Sequence, residues 1–149
     1  MLVLREGAAD FFWKAKIQEL DREDLALDIH HIFPQHWCEN RHIPRVRYNA
    51  IINKTPISAR ANRMIGGDAP SSYLKKIQNH QQVQLDEKAM DSLLRSHRIP
   101  VEAIRSDDFE TFYTNRKAAL LDLIESVMGK SLSSAMHDDP EDEEDQMSQ

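Results

Sequence analysis

A single cysteine, Cys38, excludes an internal disulfide and any cysteine-rich zinc finger, and it fits a reducing cytoplasm, where we expect the protein. No run approaches the roughly 18 apolar residues that a membrane span requires, so no membrane association is expected. The first residues, Met1-Leu2-Val3-Leu4-Arg5-Glu6-Gly7, offer neither the basic leader nor the apolar stretch of an export signal. There is no excess of positive charge overall, the net charge being -6, which argues against a nucleic-acid partner if the charge is evenly spread.

It is not evenly spread. Seven acids and no base fall between Asp138 and Asp145, and without them 18 acids face 19 bases. Between positions 28 and 76, Arg41, Arg45, Arg47, Lys54, Arg60, Arg63, Lys75 and Lys76 outnumber Asp28, Glu39 and Asp68, a local balance of +5. This stretch is the basic part of the molecule and suits a phosphate-bearing partner.

At 149 residues, with 40% hydrophobic and 30% charged content, the chain suits one ordinary folded unit plus a tail. Residues 1–24 form a lead-in with a mixed helical pattern, Ile17 and Leu20 lying one turn apart. The segment around Leu25–Ile32 reads as a short strand stopped by Pro34, the polar residues from Pro34 to Arg47 read as a loop, and Tyr48–Asn53 reads as a second strand entering a turn at Pro56. Ser58 is placed to cap a helix that Gly66-Gly67 ends. Further helices are expected from Pro70, over about 86–98, and after Ser106-Asp107-Asp108, with Ser106 as the cap of the last. In this last helix Phe109, Phe112, Tyr113, Leu120, Leu123, Ile124, Val127 and Met128 recur at helical spacing and read as core. The acid-rich residues 131–149 carry no apolar anchors and are expected to be disordered.

Within the basic stretch lies an ordered set: Asp28-Ile29-His30-His31-Ile32-Phe33-Pro34, then Asn53-Lys54-Thr55-Pro56-Ile57-Ser58, then Asn62-Arg63. Phosphodiester hydrolysis needs a base to take a proton from water, a cation to stabilise the developing charge, and a frame to hold both in register. His31 can serve as base because neutral imidazole titrates near working pH. His30 and Asn62 can hold a cation, one through a ring nitrogen and the other through its amide oxygen. Adjacent residues of a regular strand face opposite ways, so His30 and His31 share a pocket only where the strand ends or twists. Lys54, Arg60 and Arg63 are candidate phosphate contacts. His36, Cys38 and His42 could join His31 around a structural zinc, although one thiolate among irregularly spaced histidines is a weak pattern.

This arrangement resembles the ββα-metal motif of HNH endonucleases, in which a metal-binding residue and a catalytic His precede Ile-x-Pro, an Asn follows on the second strand, and a His or Asn ligand lies on the helix. The nine-residue separation of Asn53 and Asn62 is similar to that in the HNH domain of RNA-guided CRISPR effectors. The resemblance implies an α+β fold: a small ββα-metal HNH motif, 28–67, embedded in a mainly helical domain, 25–130, whose helical remainder spans 70–130. It makes His30 a metal ligand, His31 the general base, Asn53 the residue that fixes the base and its loop, and Asn62 the second ligand. Cleavage would leave 5'-phosphate and 3'-hydroxyl ends.

A longer resemblance, over about residues 25–130, is to the C-terminal nuclease region of GmrSD-type restriction proteins. It rests on Asp28–Pro34, Asn53–Ser58, Asn62–Gly67, Ala69-Pro70-Ser71-Ser72-Tyr73-Leu74, Asp107–Tyr113 and Met128-Gly129-Lys130. It implies a DNA endonuclease serving restriction and antiviral defence, and an accompanying ParB-like nucleotide-hydrolysing domain or subunit. Double-strand cutting would call for an oligomer. Many relatives carry Asp where this chain has His30. A nitrogen ligand there favours manganese, nickel or zinc relative to magnesium, although one divalent ion, magnesium or manganese, is the expectation in the cell. Asp28 adds an oxygen ligand or orients His30 by hydrogen bonding. The competing expectation is a degenerate HNH fold that binds nucleic acid or a protein partner without cutting.

Overall fold

The computed structural model describes residues 2–11 and 27–129. The helical pattern expected over 12–24, the boundary at residue 24 and the acidic tail 131–149 lie outside the described residues. Over the described residues the chain combines helices with one two-stranded antiparallel sheet, in the order α1 (Leu2–Arg5), β1 (Leu27–His31), α2 (Gln35–Asn40), α3 (Arg45–Tyr48), a 3-10 turn (Ile51–Asn53), β2 (Lys54–Ser58), α4 (Ala59–Ile65), α5 (Pro70–Asn79), α6 (Glu87–Ser96), α7 (Val101–Arg105) and α8 (Phe109–Met128). The α+β expectation holds at this level. Among the described residues no helix is long and apolar enough to cross a membrane.

The sheet aligns Asp28 with Ile57, Ile29 with Pro56, His30 with Thr55 and His31 with Lys54. Strand alternation therefore puts Asp28 and His30 on one face and Ile29 and His31 on the other. Three expectations need correction here. The second strand is Lys54–Ser58, not Tyr48–Asn53, and Pro56 lies inside it. A two-stranded sheet consists of edges only, so a residue without an N–H is tolerated. The expected loop 34–47 instead contains α2 and α3, each preceded by a proline, Pro34 and Pro44, and each burying an aromatic residue, Trp37 and Tyr48. The cap of α8 is Asp108, whose carboxylate accepts from the Thr111 amide at 3.1 Å, whereas Ser106 closes the unforeseen short helix α7.

Ser58 caps α4 as expected, accepting from the Ala61 amide at 3.2 Å, and Gly66, at φ 57°, ends that helix. Asp10 reinforces this corner by accepting from the Ser58 amide at 2.6 Å and from its hydroxyl at 3.0 Å.

The main core is built around Phe33, which is fully buried and whose ring centroid lies 5.0 Å from that of Trp37, 5.3 Å from Phe109 and 4.8 Å from Phe112. Burying such a ring contributes on the order of 2 kcal/mol, and it fixes the exit of β1 against α8. Tyr73 of α5 is also fully buried and donates its hydroxyl to the Ile32 carbonyl at 2.6 Å. The residues on either side of the candidate site are therefore anchored from two helices. The apolar stripe of α8 is core only in part: Phe109, Phe112 and Leu123 are buried, while Val127 and Met128 are exposed.

Candidate functional site

β1 stops at His31, and this ending allows neighbouring histidines to approach one another's pocket. A depression of about 150 Å3 is lined by both His30 and His31, together with Pro34, Gln35, Asn62 and Gly66. α4 starts directly from β2 and carries Asn62 across to β1, where its amide donates to the Asp28 carboxylate at 3.1 Å. His30 shares the Asp28 face of β1 and hydrogen-bonds with Asn62. Asp28, His30 and Asn62, which are separated by up to 34 positions, thus meet at one point.

His30 is 4% exposed, with its ring edge-on to Tyr73 at a centroid distance of 5.9 Å. Burial pushes its pKa down to about 3, against a hydrogen bond to the Asn62 side chain, which raises it, while the nearby His31 and His97 lower it further. The imidazole is therefore neutral at physiological pH and presents a lone pair. Its Nε2 is buried without a hydrogen-bond partner. An orphaned buried nitrogen is costly, by about 1–3 kcal/mol, and a cation is one partner that would remove the cost.

His31 is half-buried and differently held. Its Nε2 lies 3.2 Å from Oδ1 of Asn49, its ring is 6.5 Å from that of Tyr48, and Lys54 is its cross-strand neighbour. Asn53 does not reach this ring but sets the backbone around it. Its Oδ1 accepts from the Phe33 amide at 2.8 Å, and its Nδ2 donates to the carbonyls of Phe33 at 3.0 Å and Tyr48 at 2.9 Å. One buried amide thereby closes the 33–48 segment at both ends. The Asn53 carbonyl also accepts from the Ile32 amide at 2.8 Å.

The phosphate-contact candidates separate. Lys54 stands across from His31, and Arg63 is exposed on α4 next to Asn62. Arg60 donates to Gln82 at 2.5 Å and is drawn towards the turn after α5. Arg47, counted in the basic stretch, makes a paired contact with Glu110 at 2.6 and 2.7 Å. The zinc alternative is not assembled. Cys38 is fully buried, its thiol donates to the Phe33 carbonyl at 3.6 Å, and burial pushes its pKa up to about 12, so it stays protonated. Among the described residues no group of three or more His, Cys, Asp or Glu side chains is placed to hold a metal ion. The Asp28, His30 and Asn62 cluster has two such residues and an amide.

Two residues at or behind the site were not singled out from the sequence. Asn49 is one. Arg116 is the other: it is fully buried in α8 and donates to the carbonyls of Ile51 at 3.3 Å, Ile52 at 2.5 Å, Lys54 at 3.0 Å and His97 at 3.1 Å. It thereby ties the turn bearing Asn53 to the last helix. The signal was present, because Arg116 stands at helical spacing between Phe112 and Leu120 in the apolar stripe. Burial pushes its pKa down to about 10, so it remains charged.

No protein-family model matches the chain, and no solved structure matches it. An uncharacterized protein of Methanocaldococcus jannaschii is 30% identical over 106 residues, which cover 68% of this chain. The chain spans 17% of that relative's length.

Proposed function

We propose that the chain is a metal-dependent HNH endonuclease that hydrolyses DNA phosphodiester bonds through a ββα-metal site. The observation that carries this reading is the meeting of Asp28, His30 and Asn62 beside a depression that His30, Asn62 and the next residue, His31, all line, with the Nε2 of His30 buried and unpartnered. The order of two antiparallel strands followed at once by a helix supports it.

The donor set fits a divalent cation. His30 would offer Nε2, Asn62 its amide oxygen and Asp28 a carboxylate oxygen, a mixed nitrogen and oxygen set that suits manganese or magnesium, with nickel and zinc also accommodated. A bound ion would supply charge stabilisation at the scissile phosphate and leaving oxygen. His31 accepts the proton of the attacking water on its unprotonated ring nitrogen. Asn53 holds the 33–48 segment, and through it the strand end that presents His31. Lys54 and Arg63 neutralise phosphates flanking the cleaved bond, a sequence-independent contribution that weakens with salt.

The much greater length of the archaeal relative fits a nuclease module carried within a longer polypeptide, as in GmrSD-type restriction proteins, where a ParB-like nucleotide-hydrolysing domain or subunit accompanies it. Defence against foreign DNA is the role this reading assigns. Incubating the purified chain with supercoiled plasmid and magnesium or manganese tests it. Nicking that is lost in His31→Ala is expected. Intact plasmid with every divalent metal, both for the chain and for a version joined to a ParB-like nucleotide-hydrolysing domain, would overturn it.

A further inference from the structure

The geometry points to Asn49 as the positioning residue of His31, fixing its ring as the Nε2–H tautomer and leaving Nδ1 as the nitrogen that takes the proton. The inference rests on the endonuclease reading for its catalytic meaning, although the tautomer itself does not depend on that reading. Three observations carry it. First, Oδ1 of Asn49 is an acceptor 3.2 Å from Nε2 of His31, across 18 positions of sequence. An amide oxygen accepts only, so the hydrogen of that contact belongs to the imidazole, and in a neutral ring the other nitrogen is then unprotonated.

Second, the backbone that carries the exposed Asn49 side chain is itself held. Asn49 closes α3, with its backbone N–H donating to the Arg45 carbonyl at 2.9 Å. The preceding residue, Tyr48, has its carbonyl bound by Asn53 at 2.9 Å and its hydroxyl donated to Glu39 at 3.0 Å. Arg47, one residue earlier, is clamped on Glu110 through two hydrogen bonds. An acceptor carried on so constrained a turn can orient a ring. Third, Asn53 makes all of its side-chain bonds to Phe33 and Tyr48 backbone, so the fixing of the base divides between two amides. Asn53 sets the chain, and Asn49 sets the ring.

The test combines nitrogen NMR of the His31 ring with cleavage kinetics on the full chain. In the wild type, long-range proton–nitrogen correlations are expected to report one tautomer, with Nε2 protonated. In Asn49→Ala the two ring nitrogens move towards averaged shifts, while Asn49→Asp, which keeps an acceptor, retains the Nε2–H form. With manganese, Asn49→Ala should lower kcat on the order of tenfold or more with KM nearly unchanged, and Asn49→Asp should recover most of the loss. Identical ring signatures in wild type and Asn49→Ala would overturn the inference, as would a loss confined to KM. If the wild type cuts no DNA, the NMR comparison still decides whether Asn49 fixes the ring, and only the endonuclease reading fails.

Discussion

The Asn53 side chain pairs with both backbone polar groups of Phe33, accepting from its amide at 2.8 Å and donating to its carbonyl at 3.0 Å. It behaves as one more rung of the sheet, placed just where β1 has ended. Its third bond, to the Tyr48 carbonyl, ties the far end of the α2–α3 segment to the same amide. Because Asn53 is fully buried, each of these backbone groups would have no water to turn to if the amide were removed.

Asn53→Ala should therefore destabilise the fold by about 3 kcal/mol, within the range for unsatisfied buried polar groups. Asn53→Asp should be destabilised as well, since its carboxylate cannot donate to the Phe33 and Tyr48 carbonyls. Urea unfolding followed by tryptophan fluorescence measures both.

Arg116 suggests a different test, because its partners are neutral carbonyls and not carboxylates. Lysine presents its three donors at a single point and cannot span acceptors on both the Ile51–Lys54 segment and His97. Arg116→Lys should lose about 2 kcal/mol of stability. Raising the salt from low to molar concentration should leave that difference almost unchanged, since no ion pair is screened.

Metal binding can be measured apart from cleavage. Manganese at about 100 times its dissociation constant should stabilise the wild type by about 2.7 kcal/mol, read as a raised Tm. His30→Ala and Asn62→Ala should show little of this shift, and Asp28→Asn an intermediate one. Calorimetric titration that finds equal manganese affinity in wild type and His30→Ala would remove His30 from the ligand set.

Acid should destabilise the protein through its buried histidines. His97 is fully buried, donates from Nε2 to the Ala9 carbonyl at 2.7 Å and accepts at Nδ1 from Thr55 at 2.6 Å, so it is held neutral. Burial depresses its pKa to about 4 from 6.5, and that of His30 to about 3. Between these values and 6.5 the unfolded chain binds the extra protons, so stability falls as pH falls through this window. Each histidine contributes a slope of up to about 1.4 kcal/mol per pH unit. His97→Gln should flatten the profile between about pH 4 and 6.5, measured by urea unfolding of metal-free protein across that range.

Salt dependence checks the nucleic-acid surface. Lys54→Ala and Arg63→Ala should each weaken DNA binding in a sequence-independent way and lower the slope of log affinity against log salt by about 1. Arg47→Ala should leave that slope largely unchanged, because its guanidinium is already engaged by Glu110. Fluorescence anisotropy with a labelled duplex at several salt concentrations separates the two classes.

Local chemistry was legible where one residue decides the outcome. Ser58 as a cap, Gly66 as a helix end at φ 57° and Pro70 at the first turn of α5 each act within a few positions, so the sequence determined them by itself. The order of the histidines and asparagines was equally plain, since it needs no third dimension. Tertiary structure decided what depends on distant partners. It moved the second strand onto Lys54–Ser58, because pairing with Leu27–His31 outweighs the penalty of Pro56 at an edge. It buried Arg116 where an apolar stripe was expected, because four carbonyls from two segments converge there. It also gave His31 its partner in Asn49 and left His30 Nε2 buried and unpaired, relationships that arise only when residues far apart in the chain are packed against each other.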